Sequence, residues 1–147
     1  MPLLTLLPSW DDSGGVALTA KSQAPPKILV VDDDPSIRFL LRLIFEAAGY
    51  AVSEAPHGRA ALIRIKIQLP DVVVTDLKMP VMDGGALIER LRSEPHWADI
   101  PIVAVTGERA PLERVAKANV ILAKPFLQST LVETVNGLLE ERGLKAS

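Results

Sequence analysis

Four short runs of apolar residues along this chain each end in a polar residue or a group of polar residues. The runs at 28–31, 72–75, 102–105 and 120–123 are rich in Val and Ile and do not alternate with polar residues. Such runs are typical of strands that are covered on both faces of a parallel sheet. We therefore predict four buried strands, each followed by polar groups.

The segment after the first strand has the features of a helix. Asp34 suits the N-cap, Pro35 suits the first helical position, and Gly49 suits the C-terminal end. Residues 50–54 then predict a short second strand. The predicted inward positions of the helix recur at helical spacing and are Ile37, Leu40, Leu41, Ile44 and Ala48.

The segment 58–68 carries two conflicting signals. Its place between two predicted strands favours a helix, whereas Ile63, Ile65 and Ile67 alternate as they would in a strand. We predict a helix, because strands and helices alternate along the rest of the chain.

Three further helices are predicted. One follows the loop 79–84, a short one lies at about 111–118, and the last begins near Ser129. The predicted inward residues are Leu87, Ile88 and Leu91 in the first of these and Leu131, Val135, Leu138 and Leu139 in the last.

The alternation of five strands and five helices predicts an α/β fold with a doubly wound parallel sheet and right-handed crossovers. The strand order 2-1-3-4-5 is the simplest that brings the carboxyl ends of strands one, three, four and five together. Open α/β sheets bind their ligands at that edge.

Composition bounds the class of protein. The chain has 147 residues, 48% of them hydrophobic and 23% charged, which suits one domain with a proper core. Its net charge of -2 does not suggest nucleic-acid binding, and no apolar stretch reaches membrane-spanning length. The absence of cysteine excludes disulfides and thiolate chemistry and fits a cytoplasmic location.

Prolines and glycines without sustained periodicity predict a flexible extension at residues 1–26. The domain then covers 27–142, and 143–147 form a C-terminal tail.

The predicted edge collects side chains with complementary chemistry. Asp32, Asp33 and Asp76 would repel one another unless a proton or a cation is present. Their hard oxygen ligands suit Mg²⁺, which also prefers phosphate oxygens. Thr106 can donate a hydrogen bond to a phosphoryl oxygen, and Lys124 can supply a positive charge. Because a carboxylate can attack phosphorus, the arrangement predicts phosphoryl transfer onto Asp76.

At these residues the chain resembles the receiver domain of two-component response regulators, and in particular the stand-alone chemotaxis-type receivers with a flavodoxin-like fold. The resemblance covers about residues 27–142. Its motifs are VVDDDP at 30–35, TDLKMPVMDG at 75–84, VTG at 105–107 and KPF at 124–126.

The resemblance implies a role for each of these residues. Asp76 would accept a phosphoryl group from a histidine kinase or a histidine phosphotransfer protein. Asp32 and Asp33 would bind Mg²⁺ together with Asp76 and the backbone carbonyl of Lys78. The two remaining residues, Thr106 and Lys124, would contact the phosphoryl group. The family also hydrolyses its own acyl phosphate slowly, so we expect a transient signal rather than an enzyme.

Two features depart from the family pattern. Ile121 stands where many receivers have Tyr or Phe, three residues before the lysine. Only eighteen positions separate Thr106 from Lys124, and Lys117-Ala118 replaces the usual Gly-Ala pair, which predicts a shortened fourth helix.

Four other polar residues have simpler explanations. Asp34 is expected to be a helix cap, and Asp83 before Gly84 is expected to belong to the loop and the helix start. His57 and His96 fall in predicted loops without ligand spacing and are expected to be surface residues.

The residues after Arg142 are too few for an output domain, so we expect a stand-alone receiver that acts by protein binding or phosphorelay. The expected partners are the phosphodonor and an unknown downstream protein, with no direct contact to nucleic acid or membrane. One alternative is a degenerate receiver that works as a phosphorylation-independent adaptor. Another is a small Mg²⁺-dependent phosphatase, although Lys78 stands where a general acid would help.

Overall fold

The structure is a computed structural model, and it describes residues 5–10, 16–22, 24–107 and 111–144. Within these ranges strands and helices alternate from residue 27 onward, as predicted. The elements in chain order are β1 (Thr5–Trp10), β2 (Val16–Ser22), β3 (Lys27–Val31), α1 (Pro35–Ala47), β4 (Ala51–Ala55), α2 (Gly58–Ile67), β5 (Val72–Asp76), α3 (Gly84–Ser93), β6 (Ile102–Thr106), α4 (Leu112–Val115), β7 (Val120–Ala123) and α5 (Gln128–Glu141).

Strands β3 to β7 form one five-stranded sheet in the order β4-β3-β5-β6-β7. All four neighbouring pairs are parallel. Counted from the first predicted strand, this is the order 2-1-3-4-5, so the predicted doubly wound fold is confirmed. The segment with the conflicting isoleucines is helix α2, also as predicted.

Helices cover both faces of this sheet. One layer packs α2, α3 and α4 against the sheet through residues such as Leu62, Leu87 and Val115. The other layer packs α1 and α5 against it through Phe45, Leu131 and their neighbours. The carboxyl ends of the central strands are therefore the exposed edge between two packed layers.

Helix α1 turns the predicted face to the core with one exception: Ile37, Ile44 and Ala48 are partly buried against the core, as predicted. Leu41 is buried as expected, but Leu40 is 44% exposed. Phe45, which was not predicted to face inward, is fully buried and contacts Tyr50 edge to face. The helix also carries apolar residues outside this face, so its hydrophobic pattern gives the rotation of the helix but not the exact border of the buried face.

Strand β7 is not covered on both faces, which corrects the sequence prediction. Ile121 is 41% exposed and Ala123 is exposed, whereas Val120 and Leu122 are partly buried. The preceding helix, α4, has only four residues and contacts α3, and no residue of β7 belongs to the core cluster that contains Val115 of α4. The predicted shortening of the fourth helix is thus confirmed.

Residues 5–10 and 16–22 pair as an antiparallel two-stranded sheet, although the sequence analysis predicted no regular structure there. Pro8 within the first strand argued against a strand. The division of the chain at residues 26 and 142 stays a prediction, and most of the C-terminal tail lies outside the described residues.

Within the described ranges, no helix combines the length and the apolar character that crossing a bilayer requires.

Candidate functional site

The ends of β3, β5, β6 and β7 bring the predicted site residues together. Asp32 and Asp33 directly follow β3, Asp76 ends β5 and Thr106 ends β6. Lys124 directly follows β7, and its backbone N–H donates to the carbonyl of Thr106. The strands are parallel and in register, so these positions lie at one level along the sheet. For example, Asp76 pairs with Val105, which directly precedes Thr106.

Three carboxylates converge at this edge. One oxygen each of Asp32, Asp33 and Asp76 lies within 4.8 Å of the other two. Asp32 is buried, Asp76 is partly buried and Asp33 is exposed. Burial raises the pKa of the Asp32 carboxyl, and the negative charges of Asp76 and Asp33 raise it further. The cluster therefore favours binding of a cation.

Asp32 is held in place by its own loop and by α1. The backbone N–H of Asp34 donates to Oδ1 of Asp32 at 2.9 Å, which opposes the rise in the pKa of that carboxyl. The backbone carbonyl of Asp32 accepts a hydrogen bond of 2.6 Å from Arg38. Arg38 was not predicted as a site residue, although its position one turn into α1 places it near the end of β3.

Asp76 is oriented from two sides. Its Oδ1 accepts a hydrogen bond of 2.8 Å from the backbone N–H of Leu77. Its Oδ2 lies 3.4 Å from Nζ of Lys124, within ion-pair distance. The carboxylate thus keeps a fixed orientation, and one of its oxygens faces an ammonium group across the site.

The loop after Asp76 passes very close to the strand end. The N–H of Gly84 donates to the carbonyl of Leu77 at 2.8 Å. A Cβ at position 84 would lie 2.2 Å from the carbonyl oxygen of Asp76, which is too close for any side chain. Gly84 is therefore needed for close backbone approach, a reason that the sequence analysis did not identify.

A cleft of about 240 Å³ opens above Asp76. Its size and its mixed charge suit a small anion such as a phosphoryl group, beside carboxylates that can hold a divalent cation. Three of the five residues that the resemblance placed around Asp76 line this cleft with it, namely Lys78, Thr106 and Lys124. The full lining is Asp76, Leu77, Lys78, Thr106, Gly107 and Lys124.

Four polar residues were expected to lie outside the site: Asp34, Asp83, His57 and His96. Each of them caps a helix or lies on the surface. Asp34 caps α1 by accepting from the N–H groups of Ser36 and Ile37, as predicted. Asp83 caps α3, also as predicted. It accepts as well from Arg114 at 2.5 and 2.6 Å, a contact that the sequence did not indicate.

The two histidines differ from each other. His57 is the N-cap of α2, and its Nδ1 accepts from the backbone N–H of Ala60 at 3.1 Å. It is therefore more than the surface residue that was expected. His96 is exposed, as expected.

Residues 28–136 match the family model of the response regulator receiver domain. This match covers most of the chain and all four strands that carry the site. The chain belongs to the receiver domain family of response regulators. A 14.6 kDa uncharacterised protein of Leptolyngbya boryana is 39% identical over 112 residues, which are 74% of this chain and 86% of that protein.

Longer relatives match this receiver domain over part of their length. The regulatory protein PrrA of Mycobacterium leprae is 35% identical, and the match covers 83% of this chain and 53% of that protein. The DNA-binding regulator RpaA of a Synechocystis strain is 34% identical, with coverage of 78% and 49%. The receiver domain thus spans about half the length of these two regulators.

Solved receiver structures share the fold. The chemotaxis protein CheY4 of Vibrio cholerae is 36% identical with a TM-score of 0.73, covering 79% of this chain and all of that one. A putative response regulator of Chloroflexus aurantiacus is 35% identical with a TM-score of 0.74, covering 79% and 98%. Receiver domains are signalling domains of two-component systems rather than classical enzymes. They take phosphoryl groups from histidine kinases and generally bind Mg²⁺ at an acidic site.

Proposed function

We propose that this receiver domain accepts a phosphoryl group on Asp76 from a phosphohistidine donor and passes the signal on by protein contact or phosphorelay. The observation that carries the proposal is the position of the Asp76 carboxylate. It lies in the cleft, 3.4 Å from the ammonium of Lys124 and within 4.8 Å of the other two carboxylates.

The proposed step is a displacement at phosphorus. A carboxylate oxygen of Asp76 forms the new O–P bond while the N–P bond of the phosphohistidine breaks, and the electron pair of that bond stays on the imidazole nitrogen. Lys124 and Thr106, which line the same cleft, would hold the oxygens of the transferred group. The product is an acyl phosphate.

The residues present fit Mg²⁺. Asp32, Asp33 and Asp76 supply hard oxygen ligands that lie close together, and Asp32 is buried next to two other negative charges. The backbone carbonyl of Lys78 is proposed as a further ligand. When bound, the ion would neutralise the carboxylates and polarise the phosphoryl oxygens.

Three finer features belong to the same proposal. Slow self-hydrolysis of the acyl phosphate would make the signal transient. The domain would act as a stand-alone receiver, and the match covers 86% of the Leptolyngbya relative, which is similar in extent. We place it in the cytoplasm. Its downstream partner would be a protein, without direct contact to nucleic acid or membrane.

The test uses acetyl phosphate as a small donor, with Mg²⁺, and intact-protein mass spectrometry as the measurement. We expect one added phosphoryl group on the wild type and none on Asp76→Asn. Asp83→Asn, which keeps the cap of α3, is the matched control and should still be labelled. Unlabelled wild-type protein, under conditions that label another receiver, would contradict the proposal.

One observation favours a second candidate function, a phosphorylation-independent adaptor. Ile121 occupies the position at which many receivers have an aromatic ring, and its side chain is 41% exposed on β7. An aliphatic side chain cannot make the inward swing of a ring. Partner binding that is equal for wild type and Asp76→Asn would favour the adaptor.

A further inference from the structure

Helix α2 carries isoleucines on two opposite sides. Ile65 is buried against the sheet, whereas Ile63 is 57% exposed and Ile67 is 77% exposed. Two residues correspond to a rotation of roughly 200° in a helix, so the alternation that resembled a strand places these isoleucines on opposite sides. Ile63 and Ile67 are one turn apart and form an apolar ridge in the middle of the outer face.

Three cations surround this ridge. Arg59 and Lys66 lie on one side of it and Arg64 on the other, and all three residues are exposed. No acidic residue occurs between Glu54 and Asp71 in the sequence. Within the described part of the chain, none of the three cations makes an ion pair. This local positive charge contrasts with the net charge of -2 for the chain.

Helix α1 also exposes apolar residues, but it lacks unpaired positive charges beside them. Its outer face exposes Phe39 and Leu43. Its two arginines, however, are both bonded to Glu54, Arg38 at 3.3 Å and Arg42 at 2.5 Å. Free positive charge beside an apolar ridge therefore distinguishes α2 from α1.

We infer that the outer face of α2 is a docking surface for an acidic amphipathic helix of a partner protein. A ridge of residues four apart fits the groove of a second helix. Acidic side chains on either side of that groove would meet Arg59, Lys66 and Arg64. The surface lies on the layer opposite α1, and the inference does not require phosphorylation of Asp76.

The chemistry of the face favours a protein over other polyanions. A phosphate backbone offers no apolar contact to the ridge, and non-specific nucleic-acid binding relies on many cations. Helices that bind membrane surfaces present a broader apolar face, commonly with Trp, Phe and Leu. The narrow isoleucine ridge with a cation on each side matches the width of one helix.

A designed helical peptide of about 18 residues provides the test. It carries Leu at positions four apart with Glu on both sides, and it is titrated into the isotope-labelled receiver domain while backbone amide NMR signals are followed. We expect saturable shifts centred on residues 59–69. A peptide with Lys in place of each Glu should produce no such shifts.

Two receiver variants locate the site. Ile63→Ser with Ile67→Ser removes the ridge, and Arg64→Glu with Lys66→Glu reverses the charge; each should weaken peptide binding by about tenfold or more. Leu43→Ser, which changes an exposed leucine on α1, should keep the affinity. Asp76→Asn should keep it as well, so the result is separate from the phosphorylation test.

Three outcomes would overturn the inference. One is the absence of saturable shifts in α2, and another is equal binding by both peptides. The third is association of the receiver domain with phosphatidylglycerol vesicles, measured by co-sedimentation, without peptide binding, which would assign the face to anionic lipid. Because all four substituted side chains are exposed, circular dichroism should show a native fold for both variants; if one unfolds, the other still tests the site.

Discussion

The ammonium of Lys124 lies 3.4 Å from Oδ2 of Asp76, across strand β6, which separates the strands that carry the two residues. The Lys124 side chain is 36% exposed and that of Asp76 is 14% exposed. The pair is therefore accessible from the cleft but partly shielded from water, which suits an ammonium that neutralises an incoming phosphoryl group.

Lys124→Met should slow phosphorylation of Asp76. The substitution keeps much of the side-chain length but removes the positive charge beside the carboxylate, and we expect a loss of roughly 10- to 100-fold in rate. The rate of labelling by acetyl phosphate measures this. Lys66→Met, at an exposed position on α2, is the control and should leave the rate unchanged. An unchanged rate for Lys124→Met would exclude this role of the ammonium.

Asp32→Asn should abolish the stabilisation of the protein by Mg²⁺. It removes one carboxylate of the cluster, yet its side-chain oxygen can still accept from the N–H of Asp34. Without Mg²⁺ the variant should be more stable than wild type, by about 1 kcal/mol, because a buried negative charge beside two others is lost.

Thermal melting with and without Mg²⁺ tests this prediction. Asp34→Asn is the matched control, because Asn also caps helices and Asp34 serves as the cap of α1. It should respond to Mg²⁺ like the wild type. An equal response of Asp32→Asn would show that the ion does not bind at this cluster.

Gly84→Ala should destabilise the fold by about 2–3 kcal/mol, because its Cβ would lie 2.2 Å from a backbone oxygen. Gly137→Ala provides the comparison, since a Cβ at that helical position has no atom within 4 Å. It should stabilise the protein by about 0.5–1 kcal/mol. Urea unfolding measures both, and a neutral effect of Gly84→Ala would contradict the close approach of the loop.

Tyr50 should make the protein less stable at alkaline pH. Burial raises the pKa of its phenol, and the negative charge of Glu140 raises it further. The unfolded phenol loses its proton near about pH 10, while the folded one keeps it to higher pH. The stability from this group is therefore present below about pH 10 and is lost as the pH rises through the folded pKa.

Because Tyr50 is the only tyrosine of the chain, its ionisation can be followed directly by tyrosinate absorbance. The control Tyr50→Phe keeps the ring against Phe45 and loses the hydrogen bond to Asn136. Its unfolding free energy should fall less steeply above pH 10. Ionisation of the folded wild type at the ordinary phenol pKa would refute the prediction.

Local patterns in the sequence were sufficient to predict the strands of the sheet and the start of α1 at Asp34. Uninterrupted Val and Ile runs predict covered strands, and the parallel arrangement then places Asp32, Asp76, Thr106 and Lys124 at one edge. The cap at Asp34 depends only on residues within one turn, so it too could be inferred without the tertiary structure.

Other features depend on packing between distant segments. The border of the buried face of α1, with Phe45 inside it and Leu40 outside, depends on how the helix packs, because the residues on both sides of that border are apolar. The exposure of Ile121 could not be predicted from its apolar run, because it depends on which helices cover β7, and the shortness of α4 cannot be foreseen from that run. The burial of Asp32 and the contact of Lys124 with Asp76 arise only when four strands align. The sequence by itself thus determined which groups share the edge, because strand pattern is local. Their burial and distances were decided by the tertiary structure, because both depend on atoms from separate elements.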